Sequence, residues 1–169
     1  MAQAVTSPTF QGLEQFDFLR PVANAWRAIR AEFLELQPLA RTWPERYLHD
    51  GRWDVIPLVF DGQPMPAAEL APVTMGAVAA VPGRFIVGFS ILRAGCQILP
   101  HVGYTDRVWR SHLGLITNDE AFIEVDGERY TWRDGDVVVF DDTRRHHAHN
   151  PGATDRVVLI LDFAKHGAD

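Results

Sequence analysis

The chain has 169 residues, of which 47% are hydrophobic and 22% charged, and a net charge of −6 at pH 7. This length suits one domain with a sizeable hydrophobic core, and the acidic balance argues against nucleic acid as a partner. The single cysteine, Cys96, excludes a disulfide or a thiolate zinc site within the chain. Because the first ten residues lack the features of a signal peptide and no stretch reaches about 18 uninterrupted apolar residues, we expect no integral membrane segment and a cytoplasmic protein.

The first 83 residues have the pattern of helices and loops. Between residues 21 and 36, apolar side chains recur at helical spacing, which predicts one amphipathic helix lying on a sheet. Residues 41–54 mix aromatic and turn-forming residues and predict a long loop. Loops of this length are often functional, so Trp53 and Asp54 are candidates for substrate contact, with ordinary packing as the alternative.

From residue 84 onward, short β-rich runs alternate with turn residues. About eight such runs predict a mainly β, jelly-roll-type double sheet, with the N-terminal helices packed on its outer face. We therefore expect a single domain over residues 1–169, with a helical and loop part over residues 1–83 and a β core over residues 84–163.

Two strands are predicted to direct basic side chains toward the space between the sheets. In a strand over residues 107–116, alternation places Arg110 and His112 opposite the apolar face, and the last strand presents Arg156 in the same way. A buried arginine is costly unless it is paired with an anion, so the sequence predicts either a bound acidic ligand or internal carboxylate partners. The candidate internal partners are Asp141, Asp142 and Asp162.

Two of the seven histidines lie in recognisable frames. The frame over residues 95–103 contains His101, the frame over residues 135–150 contains His146, and both resemble halves of the metal motif of cupin-type double-stranded β-helices. An imidazole pair suits Fe, Zn, Cu or Ni, so the spacing alone leaves the metal open. Non-haem Fe(II) oxygenases usually add a carboxylate ligand, but Gly103 holds that position here, which should leave room for an extra water molecule.

Taken together, these motifs resemble the aspartyl/asparaginyl β-hydroxylases, a branch of the Fe(II)- and 2-oxoglutarate-dependent dioxygenases. The resemblance extends over roughly residues 90–162 and is weaker upstream. This family characteristically has glycine where other oxygenases have the carboxylate ligand, which accounts for Gly103. The matching residues and runs are Ser90, 100–103, 110–115, Gly135, Asp136, 140–146 and Arg156.

The resemblance implies that Fe(II) and 2-oxoglutarate are the cofactors of a double-stranded β-helix enzyme. It implies that His101 and His146 bind iron and form the catalytic set together with Arg110. The implied cofactor-binding residues are Ser90 and Arg156 for the distal carboxylate of 2-oxoglutarate, and Arg110 and His112 beside its metal-chelating end or the substrate.

The resemblance also implies oxygen-dependent hydroxylation of an unactivated C–H bond, with succinate and CO2 as co-products. Val108 falls where the animal peptide hydroxylases of this family carry a second arginine that grips the substrate carboxylate. Peptidyl aspartate is therefore not implied, and a free amino acid, another peptide or an acyl chain stays open as the substrate. Two other functions stay open: a cupin-like metalloenzyme that does not use 2-oxoglutarate, and a non-catalytic β-helix domain that binds a small acid.

Overall fold

Two antiparallel β-sheets form the body of the protein in a computed structural model that describes residues 8–165. Residues 1–7 and 166–169 of the predicted domain lie outside this described part. The strands are β1 (Arg41–Thr42), β2 (Trp53–Phe60), β3 (Gln63–Pro64), β4 (Ile86–Leu92), β5 (Gln97–His101), β6 (Val108–Ile116), β7 (Phe122–Val125), β8 (Glu128–Thr131), β9 (Val137–Phe140), β10 (His146–His149) and β11 (Arg156–Ala164).

The larger sheet has the strand order β1-β2-β4-β11-β6-β9, with β3 beside β2, and the smaller sheet has the order β5-β10-β7-β8. Apolar side chains from both sheets form one buried cluster between them, which contains Val158 and Ile160 of β11 and Ile123 and Ala148 of the smaller sheet. The predicted mainly β, double-stranded β-helix fold is confirmed.

Strand β11 shows how the sequence sets the two faces of the larger sheet. Its odd-numbered residues from Val157 to Phe163 join the cluster beneath the helices. Because side chains alternate along a strand, Arg156 and Asp162 turn with the even-numbered residues toward the smaller sheet. Both charged side chains are buried there, at 1% exposure each.

The helices cover the outer face of the larger sheet, as predicted. They are α1 (Arg20–Asn24), α2 (Trp26–Leu36) and α3 (Pro72–Ala77). The single helix predicted over residues 21–36 is divided at Ala25, and α2 buries Ile29, Phe33 and Leu36 against the sheet. Each such side chain contributes about 1.5–3 kcal/mol when it is fully removed from water. No helix in the described part of the chain is long and apolar enough to cross a membrane.

The larger sheet begins upstream of the predicted boundary at residue 84. Strand β2 pairs with β4 along most of its length, and β1 extends the sheet further through the segment predicted as a loop. This pairing joins residues that are 28 to 39 positions apart in the chain, and local composition carries no signal for it. The difference matters for function because Trp53, at the start of β2, is buried beside the predicted site.

Candidate metal centre

His101 and His146 lie side by side on neighbouring strands. Strands β5 and β10 are antiparallel, and their register pairs these two residues directly. The ring centroids are 4.3 Å apart and the ring planes are inclined by 57°. The two imidazoles predicted to be metal ligands are therefore brought together by strand pairing.

Backbone carbonyls fix the tautomer of both rings. Nδ1 of His101 is 2.8 Å from the carbonyl oxygen of Leu99, and Nδ1 of His146 is 2.8 Å from that of Arg144. A carbonyl oxygen only accepts, so each Nδ1 carries a proton, and in the neutral form of each ring Nε2 has the lone pair. Burial lowers the pKa of His146 to about 4, so this ring is neutral at pH 7 and suited to metal coordination.

The described residues offer no third protein ligand. Among them, no group of three or more His, Cys, Asp or Glu side chains is arranged to hold a metal ion. Gly103 donates its backbone N–H to the carbonyl oxygen of Asp142 at 2.7 Å, and a Cβ atom added to Gly103 would overlap the carboxyl group of Asp142. The space that a side chain at position 103 would occupy is thus filled by the carboxyl group of Asp142.

We expect Gly103→Ala to lower the free energy of unfolding by about 1–3 kcal/mol, because the new methyl group would overlap a buried carboxyl group. Asp142→Ala should relieve most of this loss, so the double variant should lose less than the sum of the two single variants. Urea unfolding measures both effects. Gly76→Ala is the matched control, because a Cβ added there has nothing within 4 Å. Additive losses would show that Asp142 does not crowd Gly103.

Arg110 already has anionic partners in the folded chain. Its Nε and Nη2 donate to the two carboxylate oxygens of Asp162 at 2.8 and 2.7 Å, and its Nη1 is 3.4 Å from Asp142. Burial raises the pKa of Asp142 although Arg110 lies beside it, and Oδ1 of Asp142 has no hydrogen-bond partner among the described residues. Of the two alternatives left open by the sequence, Arg110 takes the internal one. Its predicted contact with a cosubstrate would require Arg110 to break its ion pair with Asp162 or with Asp142.

Arg156 is a buried cation without an acidic partner among the described residues. Its Nη2 donates to Oγ of Ser90 at 3.3 Å, its guanidinium carbon lies 4.5 Å from the ring centroid of Trp132, and its Nε has no hydrogen-bond partner. Burial lowers its pKa to about 9, so the group is still charged at pH 7. An uncompensated buried charge costs several kcal/mol, which is the signature of a site built for an anion.

Two tryptophans complete this anion pocket. The indole N–H of Trp53 donates to Oγ of Ser90 at 2.9 Å, and that of Trp132 donates to Nδ1 of His112 at 3.1 Å. The second bond places the proton of neutral His112 on Nε2, which makes Nε2 a donor. Burial, together with Arg156 and Arg110, lowers the pKa of His112 well below its usual value.

One narrow cavity of about 30 Å³ between the sheets brings together all six residues that the sequence nominated. They are Ser90, His101, Arg110, His112, His146 and Arg156. A wider cavity of about 400 Å³ adjoins it and shares Trp53, His101, Arg110 and Ile160. A ligand would therefore reach the anion pocket through the wider cavity.

The sequence model of the family described as aspartyl/asparaginyl β-hydroxylase matches residues 23–166. The chain belongs to the aspartyl/asparaginyl β-hydroxylase family. The Rhizobium tropici ornithine lipid ester-linked acyl 2-hydroxylase is 37% identical over 120 residues, which cover 69% of this chain and 43% of that protein. The chain spans less than half the length of the first curated relatives it matches.

Two solved structures have a fold similar to that of this chain. A Pseudomonas putida prolyl-4-hydroxylase superposes with a TM-score of 0.56 at 17% sequence identity, covering 86% of this chain and 88% of that one. A 2OG-Fe(II) oxygenase family oxidoreductase from Burkholderia pseudomallei also gives 0.56, at 15% identity over 82% of this chain and 79% of that one. These likenesses support the double-stranded β-helix architecture.

Sequence reasoning missed the contribution of Trp132 and the packing of Asp142 at this candidate site. Trp132 had no signal, because it lies just beyond the end of β8 and no motif includes it. Asp142 was considered only as a partner for an arginine, and its packing against Gly103 depends on a close approach of two distant segments. For Trp53 the sequence predicts a substrate contact, and the structure adds the hydrogen bond from its indole N–H to Oγ of Ser90.

Proposed function

We propose that this β-hydroxylase family member is an Fe(II)- and 2-oxoglutarate-dependent hydroxylase. The observation that carries the proposal is Arg156, a buried cation without an acidic partner among the described residues, in the same cavity as His101 and His146. A metal site alone would not need this cation. A metal-chelating ligand with a distal carboxylate would need both features, and 2-oxoglutarate is such a ligand.

The donor set fits a catalytic metal ion. Two imidazole ligands suit Fe(II), and the lack of a third protein ligand among the described residues leaves coordination positions for a chelating cosubstrate and water. When bound, Fe(II) would supply the oxidising chemistry that couples the conversion of 2-oxoglutarate to succinate and CO2 with hydroxylation of a C–H bond. The carbonyl oxygens of Leu99 and Arg144 would hold the two ligand rings in their coordinating tautomer.

The rest of the pocket would recognise the cosubstrate by charge and length. Arg156 and Ser90 would bind the distal carboxylate through charge-assisted hydrogen bonds, and Nε2 of His112 would donate to a second anionic group. A shorter oxoacid would leave Arg156 unpaired, so a five-carbon diacid should be selected. Arg110 would stay bound to Asp162 and act by positioning the wall of the site.

The experiment is a turnover assay with the full chain, Fe(II), 2-oxoglutarate and oxygen, read out as succinate. We expect oxygen-dependent succinate that is lost in His101→Ala. Binding of 2-oxoglutarate with no succinate across a broad substrate panel would instead identify a domain that binds a small acid. Metal-dependent activity on another substrate without consumption of 2-oxoglutarate would identify a cupin-like metalloenzyme.

A further inference from the structure

The wider cavity beside His101 has a mostly apolar wall. It encloses about 400 Å³. The side chains that form this wall include Trp43, Trp53, Val55, Val59, Phe60 and Met65. Binding sites for small molecules are commonly of this size and lined by such side chains, with few polar groups placed among them.

Strand β2 makes this apolar wall continuous. Its residues Trp53, Val55 and Pro57 line the cavity as alternate residues of one face, and Val59 lines it beyond an irregularity in the pairing of β2 with β4. At about 3.3 Å per residue, this row is about 20 Å long. Its inner end, Trp53, also lines the narrow cavity that contains the two histidines. An elongated ligand could therefore lie along β2 with one end at the metal centre.

The charges in the cavity do not favour an acidic group at its metal end. The guanidinium group of Arg110 is engaged by Asp162 and lies beside Asp142. Glu45 also lines the cavity and accepts a hydrogen bond from the indole N–H of Trp43 at 3.1 Å. A substrate carboxylate at this end would thus meet one neutralised cation and further carboxyl groups. The other arginine that lines the cavity, Arg41, is paired with Val55 farther along β2.

A peptide would also find few partners for its backbone along this wall. The backbone of β2 is paired with β4 on one side and with β1 and β3 on the other. Unpaired peptide groups that are removed from water are costly, and the aromatic and aliphatic side chains of the wall offer no compensation. A chain of methylene groups carries no such cost.

We propose, on the basis of the function proposed above, that the substrate carries a long acyl chain whose apolar body lies along β2 in this cavity. Its reacting carbon would lie at the metal end. The C–H bond at that carbon breaks and a C–O bond forms with one atom of O2. The other oxygen atom enters succinate as the bond between C1 and C2 of 2-oxoglutarate breaks and CO2 leaves. Each substrate supplies two of the four electrons that reduce O2.

The test measures acyl-chain binding by the full chain under argon, with Fe(II) and 2-oxoglutarate present. A fluorescent fatty-acid analogue is displaced by palmitate, by an ester lipid in mixed micelles, or by an aspartate-containing peptide. We expect displacement by palmitate or by the ester lipid and none by the peptide. Displacement at a lower concentration of palmitate would indicate a free fatty acid as the substrate, and displacement at a lower concentration of the ester lipid would indicate a lipid. Displacement by the peptide alone, or by none of the three, would overturn the proposal.

Two matched variants locate the binding site. Phe60 lines the cavity and Leu70 does not, and both are 58% exposed, so Phe60→Asp and Leu70→Asp place the same charge at equally accessible positions. We expect Phe60→Asp to weaken acyl-chain binding about tenfold or more and Leu70→Asp to change it by less than about twofold. Equal losses in both variants, or no loss in Phe60→Asp, would show that the chain binds elsewhere.

Calorimetric titration with 2-oxoglutarate separates this proposal from the function on which it rests. If 2-oxoglutarate binds and the aspartate-containing peptide, but no acyl substrate, stimulates succinate formation, the acyl-chain proposal is wrong and the hydroxylase assignment stands. If 2-oxoglutarate does not bind, the hydroxylase assignment fails. Acyl-chain binding that Phe60→Asp weakens would then still identify the cavity as an acyl-chain site.

Discussion

Arg156→Met is expected to weaken 2-oxoglutarate binding strongly and, at the same time, to make the ligand-free protein more stable. The guanidinium group is buried, and no carboxylate among the described residues compensates its charge. Replacing buried charge by an apolar side chain of similar volume is often neutral or stabilising by up to about 4 kcal/mol. Loss of the charge pair with the ligand should cost about 2–5 kcal/mol of binding, or roughly thirty- to several-thousand-fold in affinity.

Arg110→Met is the matched control for this variant, since both arginines line the same cavity. Removing Arg110 would leave Asp162 and Asp142 without their cation, so it should lower the free energy of unfolding by about 3–5 kcal/mol. Urea unfolding and calorimetric titration with 2-oxoglutarate measure the two effects. A destabilised Arg156→Met, or one that binds 2-oxoglutarate as well as the parent protein does, would contradict the role of Arg156.

Replacing either His101 or His146 by alanine is expected to remove metal binding. With two protein ligands, each variant would keep a single imidazole. The loss of affinity should therefore exceed the roughly 10- to 100-fold that follows loss of a residue supporting a metal ligand. Calorimetric titration with Co(II) in the presence of 2-oxoglutarate measures it. His147→Ala is the control, because His147 is adjacent on β10 and does not line the cavity. Equal weakening in all three variants would argue against a site between the sheets.

Strand alternation explains why much of the candidate site could be predicted from the sequence. The period of two in β6 and β11 sets which side chains face the smaller sheet, so the sequence alone predicts that Arg110, His112 and Arg156 share one compartment. The motif frames around His101 and His146 identified the other half of the site. The structure adds the distances that bring these two halves into one cavity.

What could not be predicted depends on contacts between distant segments. The sequence left Arg110 with three candidate partners, and the antiparallel register of β6 and β11 decides between them by placing Asp162 directly opposite it. The filling of the space at Gly103 by Asp142 likewise depends on how two loops pack. The aromatic and turn-forming residues before β2 predict a loop, so neither the start of this strand nor the cavity wall that it forms could be predicted.

The measurement that tests the shared site most directly is the visible charge-transfer absorption of the full chain with Fe(II) and 2-oxoglutarate under anaerobic conditions. We expect a weak band that requires both components, is absent in His101→Ala and His146→Ala, and is lost in Arg156→Met at 2-oxoglutarate concentrations that saturate the parent protein. A band that persists in both histidine variants, or none in the parent protein, would contradict a metal and 2-oxoglutarate site between the two sheets.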